Sequence, residues 1–137
     1  MATFISNSPD ETESFGRQFA EHLKPGDVLA LSGDLGSGKT QFVKGLAEGL
    51  GATTTATSPT FTLIHEYSGG LLPIYHFDFL RLEGRQAAER LGLHEYFFGD
   101  GVSVIEWADR FPDLIPKNAR WISFETTSED QRAITAG

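Results

Sequence analysis

With 137 residues, 11 Lys plus Arg against 19 Asp plus Glu and a formal net charge of −8, the chain has the length of one domain, taken as 1–137. It contains no cysteine, which excludes disulfides, thiolate catalysis and Cys-ligated metal centres. The acidic balance argues against unaided binding to nucleic acid; MATFISNSPDE lacks the marks of a signal peptide, and no stretch approaches the ~20 apolar residues that span a bilayer, so a cytoplasmic location without membrane contact is expected.

Ser8, Pro9, Asp10 and Glu11 form an S-x-x-E capping box with proline at the first helical position, and Phe15, Phe19 and Leu23 recur at helical spacing. The spacing predicts a helix over 9–23, stopped by Lys24-Pro25-Gly26. Val28-Leu29-Ala30-Leu31 is too short for a helix and reads as a buried strand running into the glycines of 33–38. Phe42, Val43, Leu46, Ala47 and Leu50 predict a second helix over 38–50, with Gly51 at a left-handed C-terminal cap.

Residues 53–60, TTTATSPT, have no apolar periodicity and read as loop. Phe61 to Tyr67 and Leu72 to Phe79 flank Ser68-Gly69-Gly70 and predict an antiparallel hairpin. Alternation on its second strand puts Tyr75, Phe77 and Phe79 on an aromatic core face and His76, Asp78 and Leu80 on a polar one. A polar helical stretch follows from Glu83 to Phe98, interrupted at Gly92. Val102 to Ile105 is a short apolar strand ending on Glu106-Trp107, Trp121 to Glu125 is the last clear strand, and the tail is weakly patterned. The sum is an α/β chain: a P-loop NTPase-like three-layer sandwich with a mixed, mainly parallel sheet and an antiparallel hairpin.

Gly33-Asp34-Leu35-Gly36-Ser37-Gly38-Lys39-Thr40 matches G-x-x-x-x-G-K-[ST] at every fixed position, between a strand and a helix. In such a loop Gly33, Gly36, Ser37 and Gly38 let successive N–H groups face phosphate oxygens, Lys39 reaches the β and γ phosphates, and the Thr40 hydroxyl ligates Mg²⁺. The metal then needs a carboxylate at another strand end, for which Glu106 and Asp78 are the candidates. Thr60 stands where a γ-phosphate-sensing switch sits in related NTPases, or in an ordinary polar loop. His76 is either a structural residue or one that orients Asp78. Arg81, Arg85 and Arg90 fit a solvated face better than a phosphate site, and no cluster suggests a metal other than Mg²⁺.

Glu11-Thr12, GDLGSGKT, SPTFTL from Ser58, HFDFLRL from His76, LGLHEYF from Leu91 and IEW from Ile105 together resemble the TsaE (YjeE) family of the bacterial tRNA threonylcarbamoyladenosine pathway, from about Ser8 to Arg132. The resemblance implies an ATP-binding, slowly hydrolysing protein that works with TsaB and TsaD subunits to place threonylcarbamoyl on the adenosine next to the anticodon. It implies that Gly36 to Thr40 bind phosphate, and that Thr40, Asp78 and Glu106 serve magnesium and catalysis alongside Lys39. It further makes Thr60 the switch threonine and puts Thr12, Trp107 and Arg132 around the base. One departure is Leu80, where the family usually carries tyrosine. The charge of −8 fits a protein that meets tRNA only through its partners. The alternatives are a small P-loop kinase, for which little chain is left to build an acceptor site, and a nucleotide-dependent binding module. A regulatory GTPase would need N-K-x-D, which is absent.

Overall fold

Ser8 starts the first helix as its spacing predicts. Its Oγ accepts from the Glu11 N–H at 3.1 Å, and the Glu11 carboxylate accepts from the Asn7 N–H at 3.1 Å, so two donors that the helix cannot satisfy internally are paired. The computed structural model describes residues 2–34, 36–57 and 64–136, with side chains for all of these except 54–57 and Arg81. Helix α1 spans Pro9–Phe19 and tightens into a 3₁₀ turn over Ala20–His22. Helix α2 spans Lys39–Gly49, and Gly51 after it is left-handed at φ 76°. Two short helices, α3 (Arg85–Glu89) and α4 (Leu93–Phe97), replace the polar stretch and are separated at Gly92, φ 69°.

The strands are β1 (Ala2–Ser6), β2 (Val28–Gly33), β3 (Thr54–Thr57), β4 (Ile64–Ser68), β5 (Ile74–Asp78), β6 (Val102–Glu106), β7 (Arg120–Thr126) and β8 (Arg132–Ala136). They form one sheet in the order β1-β8-β7-β2-β6-β5-β4-β3. The expected hairpin is β4–β5. Parallel pairing joins the central strands β7, β2, β6 and β5. Antiparallel pairs complete both flanks, so antiparallel pairing extends beyond the one hairpin expected.

Alternation along the buried strands sorts the core into two layers. Leu29 and Leu31 of β2 join Val102 and Val104 of β6 under α1 and α2, whereas Val28, Ala30 and Ile105 face Phe77, Phe79 and the α3–α4 side. Helices therefore cover both faces of a continuous sheet, as a three-layer sandwich requires. A ladder of rings ties the first layer together: Phe4 stacks on Phe15 at 4.6 Å, and Phe42 meets Phe15 at 5.7 Å and Phe124 at 5.5 Å.

Two expectations are corrected. Residues 54–57 are not loop but the edge strand β3, paired with β4 from Thr54↔Ser68 to Thr57↔His65; threonine's branched Cβ suits a strand, and the ladder supplies the order that apolar periodicity did not signal. The weakly patterned tail is β8, paired on both sides by β7 and β1. Neither β1 nor β8 carries a strong local pattern, and the β1–β8 pairing joins residues more than 120 positions apart in sequence. Among the described residues no helix is long and apolar enough to cross a membrane.

Helices α1 and α2 approach each other closely at glycines. A Cβ on Gly45 would run into the Glu13 carbonyl and lie 3.1 Å from the Arg17 nitrogen; one on Gly16 would run into the Phe42 carbonyl. Backbone cannot step aside as a side chain can. In an exposed helix Gly→Ala gains about 0.5–1 kcal/mol, but here the sign reverses: Gly45→Val is expected to cost about 2 kcal/mol or more, as overpacking does. Urea denaturation checks this, and an unchanged midpoint would contradict the packing described.

Candidate functional site

Because β2, β5, β6 and β7 run parallel, their carboxyl ends lie along one edge of the sheet. β1 is antiparallel to β8, which is antiparallel to β7, so β1 also ends there and delivers the start of α1 to the same place. A cleft of about 420 Å³ opens at this edge, within the roughly 300–1,000 Å³ of small-ligand sites. It is lined by Thr12, Gly36, Ser37, Gly38, Lys39, Thr40, Asp78, Glu106, Trp107 and Arg132. The site residues expected from sequence thus meet in one place, with two exceptions. Gly33 sits behind the lining, where its carbonyl receives Lys39, and Thr60 lies outside the described residues, as do Leu35 and the rest of 58–63.

The glycine loop is held in a shape that only glycine adopts freely. Gly36 and Gly38 have φ of 78° and 101°, the left-handed region that a Cβ disfavours. No side chain caps the start of α2, so its first N–H groups and the positive end of its dipole face the cleft. The buried Ser37 hydroxyl has no hydrogen-bond partner among the described residues. Lys39 is 4% exposed; its ammonium donates to the Gly33 carbonyl, lies 3.5 Å from that of Asp34, and sits 3.8 Å from the centre of the Trp107 ring. Burial pulls the ammonium pKa below the usual lysine range, against the charges of Glu106, Asp109, Asp34 and Asp78. The Trp107 ring, expected near a base, therefore stands at the lysine end of the cleft. Trp107 also has a φ of 60°, the one non-glycine residue in that region among those described.

Asp78 and Glu106 are direct neighbours across the parallel β5–β6 pairing. They differ in setting. Asp78 ends its strand and caps the turn Phe79–Arg81, its Oδ1 accepting from the Leu80 N–H at 3.0 Å. Glu106 also ends its strand, as expected, but is buried at 8% exposed, and its Oε2 lies 2.7 Å from His76 Nε2. A carboxylate only accepts, so Nε2 carries the proton. Of the two readings of His76, the one in which it orients Asp78 is not what the geometry shows: His76 pairs with Val104 in the ladder and its ring reaches diagonally to Glu106, with its Nδ1 buried and without a partner among the described residues. Tyr67 stacks on His76 at 6.2 Å, and burial, then the Glu106 charge, push its phenol above the usual range.

Thr12 is 1% exposed; its hydroxyl is 2.7 Å from the Ser6 hydroxyl and its methyl faces Gly38. The Arg132 Nε donates to the Gly36 carbonyl at 3.2 Å, and its Nη1 donates to the carbonyls of Ser128, Glu129 and Gln131. Arg132 therefore braces the β7–β8 turn against the glycine loop. Arg85 is spent on ion pairs with Glu89 and Asp113, as a solvated face implies. Sequence reasoning missed Glu129 and Asp130 in the cleft wall, because the turn that carries them is invisible unless β8 is recognised. Gln41, on the first turn of α2, was within reach of the helix periodicity.

The His76–Glu106 pair sets an expected outcome. His76→Ala leaves a buried carboxylate without its donor and is expected to cost about 1–3 kcal/mol. Glu106→Gln keeps an acceptor for Nε2 and is expected to cost less than His76→Ala. Chemical denaturation of both variants decides, and equal losses would argue against the bond.

Three comparisons bear on this geometry. Residues 6–134 match the family model described as threonylcarbamoyl adenosine biosynthesis protein TsaE. The tRNA threonylcarbamoyladenosine biosynthesis protein TsaE of Bacillus subtilis strain 168 is 48% identical over 128 residues, covering 93% of this chain and 80% of that one. Its namesake from Treponema pallidum strain Nichols is 40% identical over 131 residues and 96% of each chain. The crystal structure of Bacillus subtilis YdiB superposes with a TM-score of 0.82 at 42% identity, covering 98% of this chain and 83% of that one. With more than nine-tenths of its length accounted for in each comparison, and a cleft lined from four of the six motifs that carried the resemblance, the chain belongs to the TsaE family.

Proposed function

We propose that this protein binds ATP with Mg²⁺ in the cleft, hydrolyses it slowly on its own, and acts in the cytoplasm with TsaD and TsaB subunits in threonylcarbamoyl modification of the adenosine next to the anticodon of tRNA. The observation that carries the reading is the meeting of the glycine loop, Lys39, Thr40, Asp78 and Glu106 in a single cleft. An all-oxygen donor set from a hydroxyl and two carboxylates suits Mg²⁺, and the unpartnered Ser37 hydroxyl beside uncapped N–H groups suits a phosphate. When bound, Mg²⁺ would offset the phosphate charge. Lys39 would exchange the Gly33 carbonyl and the Trp107 face for phosphate oxygen. With Glu106 Oε2 held by His76, Oε1 remains for the metal or for a water.

The engagement of two described arginines, Arg132 and Arg85, supports slow turnover. Arg132 spends its guanidinium on backbone carbonyls and Arg85 on carboxylates, so neither is available to meet charge developing on a phosphate. An arginine supplied in trans accelerates such reactions by about 10³ to 10⁵. A chain of net charge −8 is also a poor direct ligand for tRNA, which favours contact through partners.

A ligand at 100 times its dissociation constant stabilises a fold by about 2.7 kcal/mol. Millimolar ATP with Mg²⁺ is therefore expected to raise the melting temperature, GTP to raise it less, and Lys39→Ala to abolish the shift. Asp78→Asn is expected to lower hydrolysis by about tenfold or more. Unchanged melting curves would overturn the reading. Binding linkage is reciprocal, so ATP is expected to tighten association with TsaD and TsaB, and those partners to raise turnover. Sedimentation with and without ATP, beside phosphate release with and without partners, tests both halves; independence in both would remove the partner assignment while leaving nucleotide binding intact.

A further inference from the structure

Asp78 and Glu106 end neighbouring strands, yet each is followed by a 3₁₀ turn of its own: Phe79–Arg81 after Asp78 and, one residue on from Glu106, Ala108–Arg110. Nothing in the sheet holds those two turns together, because the β5–β6 ladder stops at the Asp78↔Glu106 pair. Arg110 does. Its Nη1 donates to the Phe79 carbonyl at 2.6 Å, to the Leu80 carbonyl at 3.1 Å and to the Leu82 carbonyl. The first two carbonyls belong to the turn that Asp78 caps from the other end, through the Leu80 N–H at 3.0 Å, and Leu82 is the residue that closes it. Carbonyls at the end of a helical turn carry partial negative charge, and a cation there is stabilising. The guanidinium also packs on Phe111, 5.0 Å from the ring centre, and Phe111 meets the buried Phe79 ring edge-on at 5.9 Å.

We infer that Arg110 is a positioning residue for Asp78: it clamps the turn after β5 to the turn after β6, and so fixes the carboxylate of Asp78 beside that of Glu106 in the geometry a divalent cation requires. The inference rests on the Mg²⁺-dependent nucleotide site proposed above. The same contacts exclude an alternative. Arg110 does not line the cleft and its Nη1 is turned to these three carbonyls, so Arg110 acts through Asp78 and not as a charge donor to the nucleotide. Arginine suits the task because it stays charged at any working pH and presents several donors from one rigid plane. Lysine would keep the charge but would offer a single point in place of the plane.

The test uses ADP as the probe and compares its affinity in Mg²⁺ with its affinity in EDTA, by calorimetry, for the parent, Arg110→Lys and Arg110→Gln. The gain that Mg²⁺ gives the parent is expected to fall by about fivefold or more in both variants, while affinity in EDTA stays within about twofold. In an Asp78→Asn background, Arg110→Gln is expected to change the Mg²⁺ gain no further, because the residue it positions is already disabled. Three results would overturn the inference: a parental Mg²⁺ gain in both variants, a fall in EDTA affinity as large as that in Mg²⁺, or loss of cooperative melting in either variant, since the last two make Arg110 a general structural support. A parent that binds no ADP, or binds it equally with and without Mg²⁺, would instead defeat the functional reading on which the inference stands.

Discussion

A loop of glycines can turn its amides toward a ligand, but it becomes a site only if the carboxylates that complete it end on the same line. The parallel pairing of β2 with β6 and of β6 with β5 imposes that line. It fixes Leu31 opposite Glu106 and Glu106 opposite Asp78, so the loop leaving β2 and both acids emerge at one sheet edge. Ligands gather at the carboxyl ends of parallel strands for this reason. The flanking antiparallel strands then bring Ser6, Thr12 and Arg132 to the same edge from both ends of the chain.

The cleft built there is electrostatically divided. Its walls include Asp78, Glu106, Glu129 and Asp130, and its cations are Lys39 and Arg132, within a chain of net charge −8. Each cation is held by backbone carbonyls, Lys39 by Gly33 and Arg132 by Gly36 and the β7–β8 turn. Burial weakens the charged form of Lys39, and the surrounding carboxylates offset only part of that. A polyanion with its own metal would give Lys39 an ionised acceptor in place of the neutral Gly33 carbonyl, while Arg132 keeps its contacts to the β7–β8 turn. Trp107, strained at φ 60° and lying over the ammonium, is part of what must be displaced in that exchange.

The elements legible in the sequence were those whose evidence is local. The capping box at Ser8 and Glu11, the glycine loop from Gly33 to Lys39 and the apolar runs of β2 and β6 each declare themselves within a few residues. Strands β1, β3 and β8 do not, because none carries an unbroken apolar run, and at the edge strands β1 and β3 only one side is paired. His76 shows the same limit at the level of one side chain. Period-two alternation placed it correctly on the face of Asp78, but whether it serves Asp78 or Glu106 depends on which strand pairs with β5 on the far side.

Residue identity by itself determined the chemistry of this protein: a loop able to meet phosphate, a hydroxyl and two acids able to meet a hard cation, and a surplus of negative charge that disfavours direct contact with RNA. Those properties belong to side chains and to backbone torsions, which a short stretch of sequence specifies. Tertiary structure alone decided the wiring. It bonded Glu106 to His76, set Trp107 over Lys39, and made Arg132 and Arg110 braces of loops. Each of those pairings joins residues 28 to 96 positions apart in the chain, and a distance that long is closed by strand order and register, which no local pattern encodes.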